Sequence, residues 1–156
     1  MSASIHKLHV ILAGAWLGGV VFTTAVVSPA FKAMSWSEAE RVRVRAVIGK
    51  QYARIGGINL ALLLVFAILD GVLKGLGAVF YGEYALLLVL FGLVAAHGAY
   101  FGRRLAGWAQ DERRAGDVEE ARTFAKKRHA LQKLSLPVSL LNILISAVVV
   151  ALAVNA

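Results

Sequence analysis

The run His6–Phe31, HKLHVILAGAWLGGVVFTTAVVSPAF, with Lys7 and Lys32 at its ends, constrains this chain most. It is too long for a buried helix of a small soluble domain, and it matches a bilayer span, which needs about 20 mainly apolar residues. His9, Trp16 and Thr23 recur at seven-residue intervals. Seven residues make nearly two helical turns, so the three side chains share a face that should look inward at other helices. Gly14 and Gly18, with Gly19 beside them, form a small-xxx-small pair that would let a second helix approach the backbone. The run exceeds a signal-peptide core, and Pro29, Phe31 and Lys32 stand where a small-residue cleavage site would lie, so the segment is expected to be retained.

Three further spans follow. Residues 37–74 read as nearly continuous helix starting at Ser37, ahead of Glu38 and Glu40, with its membrane part at about 55–73. Asn59, Leu63, Phe66 and Asp70 fall on one face of it, because eleven residues make close to three turns. A Gly-rich connection, LKGLGAVFYGEY, leads to a third span at about 84–102, with Glu83 and His97 two heptads apart and Gly98 and Gly102 as a second small-residue pair. A charged stretch over residues 103–133 breaks and restarts at Gly116 and Asp117. The fourth span, about 134–154, is expected to open with Pro137 in its first turn and to carry a polar stripe of Ser135, Ser139, Asn142 and Ser146. The expectation is one all-α domain over residues 1–156, an antiparallel four-helix transmembrane bundle with two cytoplasmic helical hairpin extensions.

A composition that is 59% hydrophobic agrees, since soluble domains hold about 45–50% apolar residues. The absence of cysteine excludes disulfides, thiolate metal sites and cysteine catalysis. The net charge of +8 does not point to nucleic acid, because it sits between apolar runs and no nucleic-acid motif accompanies it. Six Lys and Arg lie between spans one and two, nine between spans three and four, and two, Lys7 and Lys74, on the opposite side. By the positive-inside rule the basic hairpins face the cytoplasm and both termini face out, as in a bacterial-type inner membrane. Anionic lipid headgroups are the expected partners of those hairpins, besides the bilayer itself, with a homo-oligomer or a membrane partner subunit as further options.

This orientation puts His6, His9, Asp70 and Glu83 in an outer polar layer, and Asn59, His97 and Asn142 in the cytoplasmic half about 20 Å away. A carboxylate at the depth of Asp70 needs a partner, for which His9, Lys7 and Lys74 are the candidates. Intramembrane ionisable groups mark sites, and neutral imidazole ligates haem iron or copper. The cofactor-site candidates are therefore His9, His6, Trp16 and His97, and the metal-site candidates His9, Asp70 and Glu83, for haem b or copper or for no cofactor at all. His6, being one turn from His9, cannot be its opposite axial ligand, which leaves a five-coordinate haem, or copper held by His6, His9 and an acid. The alternatives are a path for protons or small solutes and a non-catalytic accessory subunit. No nucleophile triad, phosphate loop or HExxH helix is present, which argues against a hydrolase or nucleotide enzyme.

The segment HVILAGAWLGG, a His followed seven residues later by Trp and then Gly, resembles the first helix of CopD-type copper-resistance and HemJ-type four-helix membrane proteins. Its continuation WLGGVVFTTAVVSPAFKAM is more similar to the uncharacterised four-span family typified by human transmembrane protein 205. The first likeness implies that His9 occupies the place of a haem-holding His. The aromatic, Pro and Arg residues that follow the glycines in HemJ-type proteins, and the Lys of their third helix, have no counterpart here. From the second family only Ser139 and Asn142 carry over.

Overall fold

The computed structural model of the chain describes residues 2–36 and 38–156. The first run is one long helical rod: α1 (Ser2–Phe22) passes through a π-helical segment (Thr23–Val27) into α2 (Ser28–Ala33). The widened turn has a local cause. Pro29 has no N–H to give the carbonyl one turn before it, and Thr23 Oγ1 donates back to Gly19 O at 2.9 Å or Val20 O at 3.0 Å. The Ser28 N–H reaches instead to Thr23 O.

After residues 34–37 comes α3 (Glu38–Lys74), in agreement with the continuous helix expected there; Ser37, its expected start, lies outside the described residues. Gly75, at φ +89°, ends α3, since a left-handed residue past the last turn stops a helix and glycine takes it without strain. The connection is only Gly75–Gly77, shorter than expected, and α4 (Ala78–Ala96) begins before Phe80 and Tyr81. Glu83 is consequently inside a helix rather than ahead of one. A second π-helical segment (His97–Gly102) joins α4 to α5 (Arg103–Arg114).

The break at Gly116 and Asp117 stands as expected. Asp117 caps the next helix by accepting from Glu120 N–H at 2.7 Å, while the Glu120 carboxylate accepts from Gly116 N–H at 3.1 Å. The helix that starts there, α6 (Val118–Asn155), runs unbroken through the charged stretch and the fourth span. Pro137 is thus in a helix interior and not in a first turn, because the charged segment is itself helical and fuses with the apolar one.

Among the described residues four helices are long and apolar enough to cross a membrane: Ala3–Phe31, Arg43–Lys74, Ala78–Ala96 and Val118–Asn155. The described residues form no strand. Helix α1 packs on α3 and α6, and α4 packs on the same two, so α1 faces α4 across the axis. The start of α1 meets the end of α3 and the start of α4. Successive spans are therefore antiparallel.

The shared core is Ala13, Trp16, Val20, Leu60, Leu63, Ala67, Leu87, Leu90, Val149 and Ala153. Close approach is supplied by glycines other than the expected pair. A Cβ on Gly56 would come within 3.2 Å of the Trp16 ring, one on Gly19 within 3.2 Å of the Tyr52 hydroxyl, and one on Gly71 would collide with the Tyr84 hydroxyl. Gly14 and Gly18 instead face open space, one helix position off the buried His9–Trp16 stripe, so they do not pack a neighbouring helix within this chain.

At the far end α2, α3, α5 and α6 carry the basic residues. Arg128 is buried and donates from Nε to Glu112 Oε2 at 3.0 Å, tying α6 to α5. Arg104 lies over the rings of Tyr100 and Trp108.

Candidate functional site

The site is built at the end of the bundle where α1 begins and α3 stops. His9 is the first fully buried position of α1, and Asp70 and Glu83 are fully buried on α3 and α4. Their burial follows from helical spacing: Asp70 continues the stripe of Leu60, Leu63 and Ala67, and Glu83 begins the stripe completed by Leu87 and Leu90. The three side chains meet. His9 Nε2 is 2.7 Å from Glu83 Oε1, and His9 Nδ1 is 3.4 Å from Asp70 Oδ2. The imidazole is held on both sides by carboxylates from two different helices.

His6, one turn earlier and 28% exposed, turns its Nδ1 to the same oxygen, Asp70 Oδ2, at 2.8 Å. Lys74, one turn beyond Asp70, places Nζ 3.0 Å from His6 Nδ1 and 3.5 Å from Asp70 Oδ2. Its ammonium also donates to Ala156 O at 3.0 Å. A ring nitrogen of His6, a ring nitrogen of His9 and a carboxylate oxygen of Asp70 all lie within 4.8 Å of one another. Asp70 Oδ1 and Glu83 Oε2 are buried and have no hydrogen-bond partner among the described residues.

This arrangement has the spacing of a ligand set. Ligand atoms about 2.0–2.1 Å from a tetrahedral or octahedral metal stand roughly 3 Å apart, and the two imidazole nitrogens lie 2.8 and 3.4 Å from the shared Asp70 oxygen. Glu83, named at the outset as a metal-site candidate, sits on the other ring nitrogen of His9. With the proton on Nε2 it would accept from that N–H and fix the ring, leaving Nδ1 as an electron-pair donor beside Asp70 Oδ2.

Trp16 and His97 lie elsewhere. Trp16 is buried two turns below His9, and its Nε1–H donates to Ser146 Oγ at 2.9 Å. Ser146 in turn lies 2.6 Å from Asn142 O, and Asn59 Nδ2 donates to Leu12 O at 3.1 Å. Asn59 and Asn142 thus belong to a middle layer about 10 Å from His9, not to a layer with His97. They bond to the nearest backbone and hydroxyl groups inside the bundle. His97 is exposed in the π-helical segment at the other end of α4, about 20 Å from Glu83 by helical rise, so the two residues stand at opposite ends of the span and do not meet. Ser139 is half-buried, and the side chain of Ser135 lies outside the described residues.

The convergence of Lys74 with His6 is the feature that spacing along the sequence did not single out. The signal was present: Lys74 follows Asp70 by one turn at a helix end, as His6 precedes His9 by one turn at a helix start.

No curated protein and no solved structure significantly matches the chain. A family defined by sequence does match it, over residues 11–114, which takes in Asp70, Lys74 and Glu83 and leaves out His6 and His9. On that match the chain belongs to the DUF4149 family, described as a domain of unknown function.

Proposed function

We propose that this integral membrane protein carries a divalent transition-metal centre held by His6, His9 and Asp70, serving metal homeostasis or redox chemistry at the outer face of a bacterial-type inner membrane. The observation that carries the reading is the approach of two imidazole nitrogens to one buried carboxylate oxygen, at 2.8 and 3.4 Å. Two imidazoles and a carboxylate suit Zn, Cu(II) or Fe(II), and the Irving–Williams order makes Cu(II) the tightest of these. Thiolate and thioether donors, which select Cu(I), are not part of the cluster. The likeness of the first span to CopD-type copper-resistance proteins agrees with this choice.

Haem b is less well served. Haem would have only His9 as an axial ligand, since His6 is one turn away on the same helix, His97 is at the other end of α4, and the Trp16 indole is committed to Ser146. A through-path for protons or solutes meets a dry layer of Leu60, Leu63, Leu87 and Leu90, all fully buried below the cluster. The orientation rests on charge: fifteen of the seventeen Lys and Arg lie at the end away from the site. The same basic end is suited to anionic headgroups.

Metal analysis of the purified protein, with variants, tests the proposal. Near-stoichiometric copper or another divalent ion is expected in the wild type, with loss in His9→Ala and Asp70→Ala and retention in His129→Ala. Equal metal content in all four proteins would remove the centre.

A further inference from the structure

The position that a metal would take between His6, His9 and Asp70 is contested by a charge belonging to the chain itself. Lys74 Nζ lies 3.0 Å from His6 Nδ1 and 3.5 Å from Asp70 Oδ2, two of the three proposed ligand atoms. A ring nitrogen offers either one proton or one lone pair. His6 Nδ1 therefore cannot donate to Asp70 and accept from Lys74 at once, although both neighbours are within hydrogen-bonding distance. If Nδ1 is the acceptor, its lone pair and the Asp70 oxygen sit 2.8 Å apart with no proton between them, and what holds them together is the cation they share. That is the relation between two ligands of one metal ion, with an ammonium standing for the metal.

Placement makes the exchange feasible. Lys74 is the last residue of α3, directly before the left-handed Gly75, and its side chain is 29% exposed while Asp70 is fully buried. The ammonium can leave by rotating its own stem into water, as long basic side chains at span ends do. An open groove of about 380 Å³ lined by His6, Lys7, Val10, Ile11 and Val154 exposes His6 from the adjoining side. An incoming ion thus has a route to His6, the outermost of the three ligands.

We infer that Lys74 is a tethered surrogate cation that occupies the His6–Asp70 corner of the metal centre and must be displaced for the metal to bind. The inference rests on the proposed metal centre. It makes loading an exchange of one cation for another, so the buried carboxylate keeps a counter-charge in both states. A site whose competent state is populated only part of the time binds with an affinity reduced by that fraction. An ammonium resident for about nine-tenths of the time would weaken binding about tenfold.

The test is titration of Zn(II) into the full-length protein in detergent, in competition with a chromophoric chelator, for wild type, Lys74→Met, Lys74→Gln and Lys7→Met. Zn(II) is chosen because it undergoes no redox change. Both Lys74 variants should bind about tenfold more tightly than wild type. Lys7→Met, which removes the same charge from the same end without vacating the corner, should change affinity less than about twofold; an equal gain there would reduce Lys74 to general repulsion and overturn the inference. A second readout is acylation of Lys74 by an amine-reactive ester, which should quicken when Zn(II) is added to the wild type, whereas an unchanged rate would mean the ammonium is not displaced. Equal affinity of wild type and both Lys74 variants sinks the surrogate and leaves the metal centre standing. Failure of every protein to bind Zn(II) sinks both.

Discussion

His9 and Glu83 meet across the bundle axis, Nε2 to Oε1 at 2.7 Å, although their helices α1 and α4 are diagonal partners that share little other surface. Both side chains are fully buried, so the pair lies at the centre of the polar end of the molecule. Removing the buried carboxylate leaves the ring N–H of His9 without an acceptor in the interior, which costs about 1–3 kcal/mol. Glu83→Ala should therefore lower stability in detergent by about 2 kcal/mol. Glu83→Gln, which keeps an acceptor for the ring N–H, should recover more than half of that loss in the same denaturation assay.

His9 also faces Asp70, and the two contacts share one ring. Asp70→Asn and His9→Gln together should destabilise less than the sum of the single changes, by about 1 kcal/mol or more. Strict additivity would assign Asp70 to His6 and Lys74 alone.

The middle layer gives an independent check on the packing. Ser146→Ala would strand the buried Trp16 N–H, at a cost of about 1–3 kcal/mol. Tryptophan fluorescence during unfolding would report both the loss and the change in the ring's surroundings. A variant as stable as the wild type would mean that another acceptor takes the indole proton.

Glycines separate inner from outer faces. Gly71→Ala should destabilise by about 1–3 kcal/mol, since the added methyl meets the Tyr84 hydroxyl, which donates to Ala67 O at 3.1 Å, and the Phe80 ring. Gly14→Ala and Gly18→Ala meet nothing and should be neutral or stabilise by up to about 1 kcal/mol each. Loss of stability at Gly14 or Gly18 would reveal a partner helix on the outer face of α1.

Much of this was legible in the sequence because helical periodicity is a geometric constraint. The seven-residue step from His9 to Trp16 located two buried positions, the spacing of Asp70 from Leu63 located a third, and the need of a membrane carboxylate for a partner pointed to His9, Lys7 and Lys74, of which His9 and Lys74 stand beside Asp70. Periodicity says nothing of where a helix begins. A glycine cluster near α4 read as loop, yet only Gly75–Gly77 is non-helical, and the earlier start of α4 is what turns Glu83 into the interior. Pro137 read as a helix start and proved internal, because the charged stretch before it forms helix against α5. Small-residue spacing does not say which way a face points: Gly14 and Gly18 look outward, while Gly19, Gly56 and Gly71 make the close contacts. His97 shares heptad register with Glu83, yet that register does not say that it ends up exposed at the far end of α4 while Glu83 is buried.

X-ray absorption at the metal edge of the copper- or zinc-loaded protein, alongside the His9→Ala variant, tests the central claim most directly. The account predicts two imidazole nitrogens in the wild-type coordination sphere at about 2.0 Å, a carboxylate oxygen at a similar distance, and loss of that coordination signal in the variant. A wild-type spectrum with no imidazole, or one unchanged by loss of His9, would contradict it.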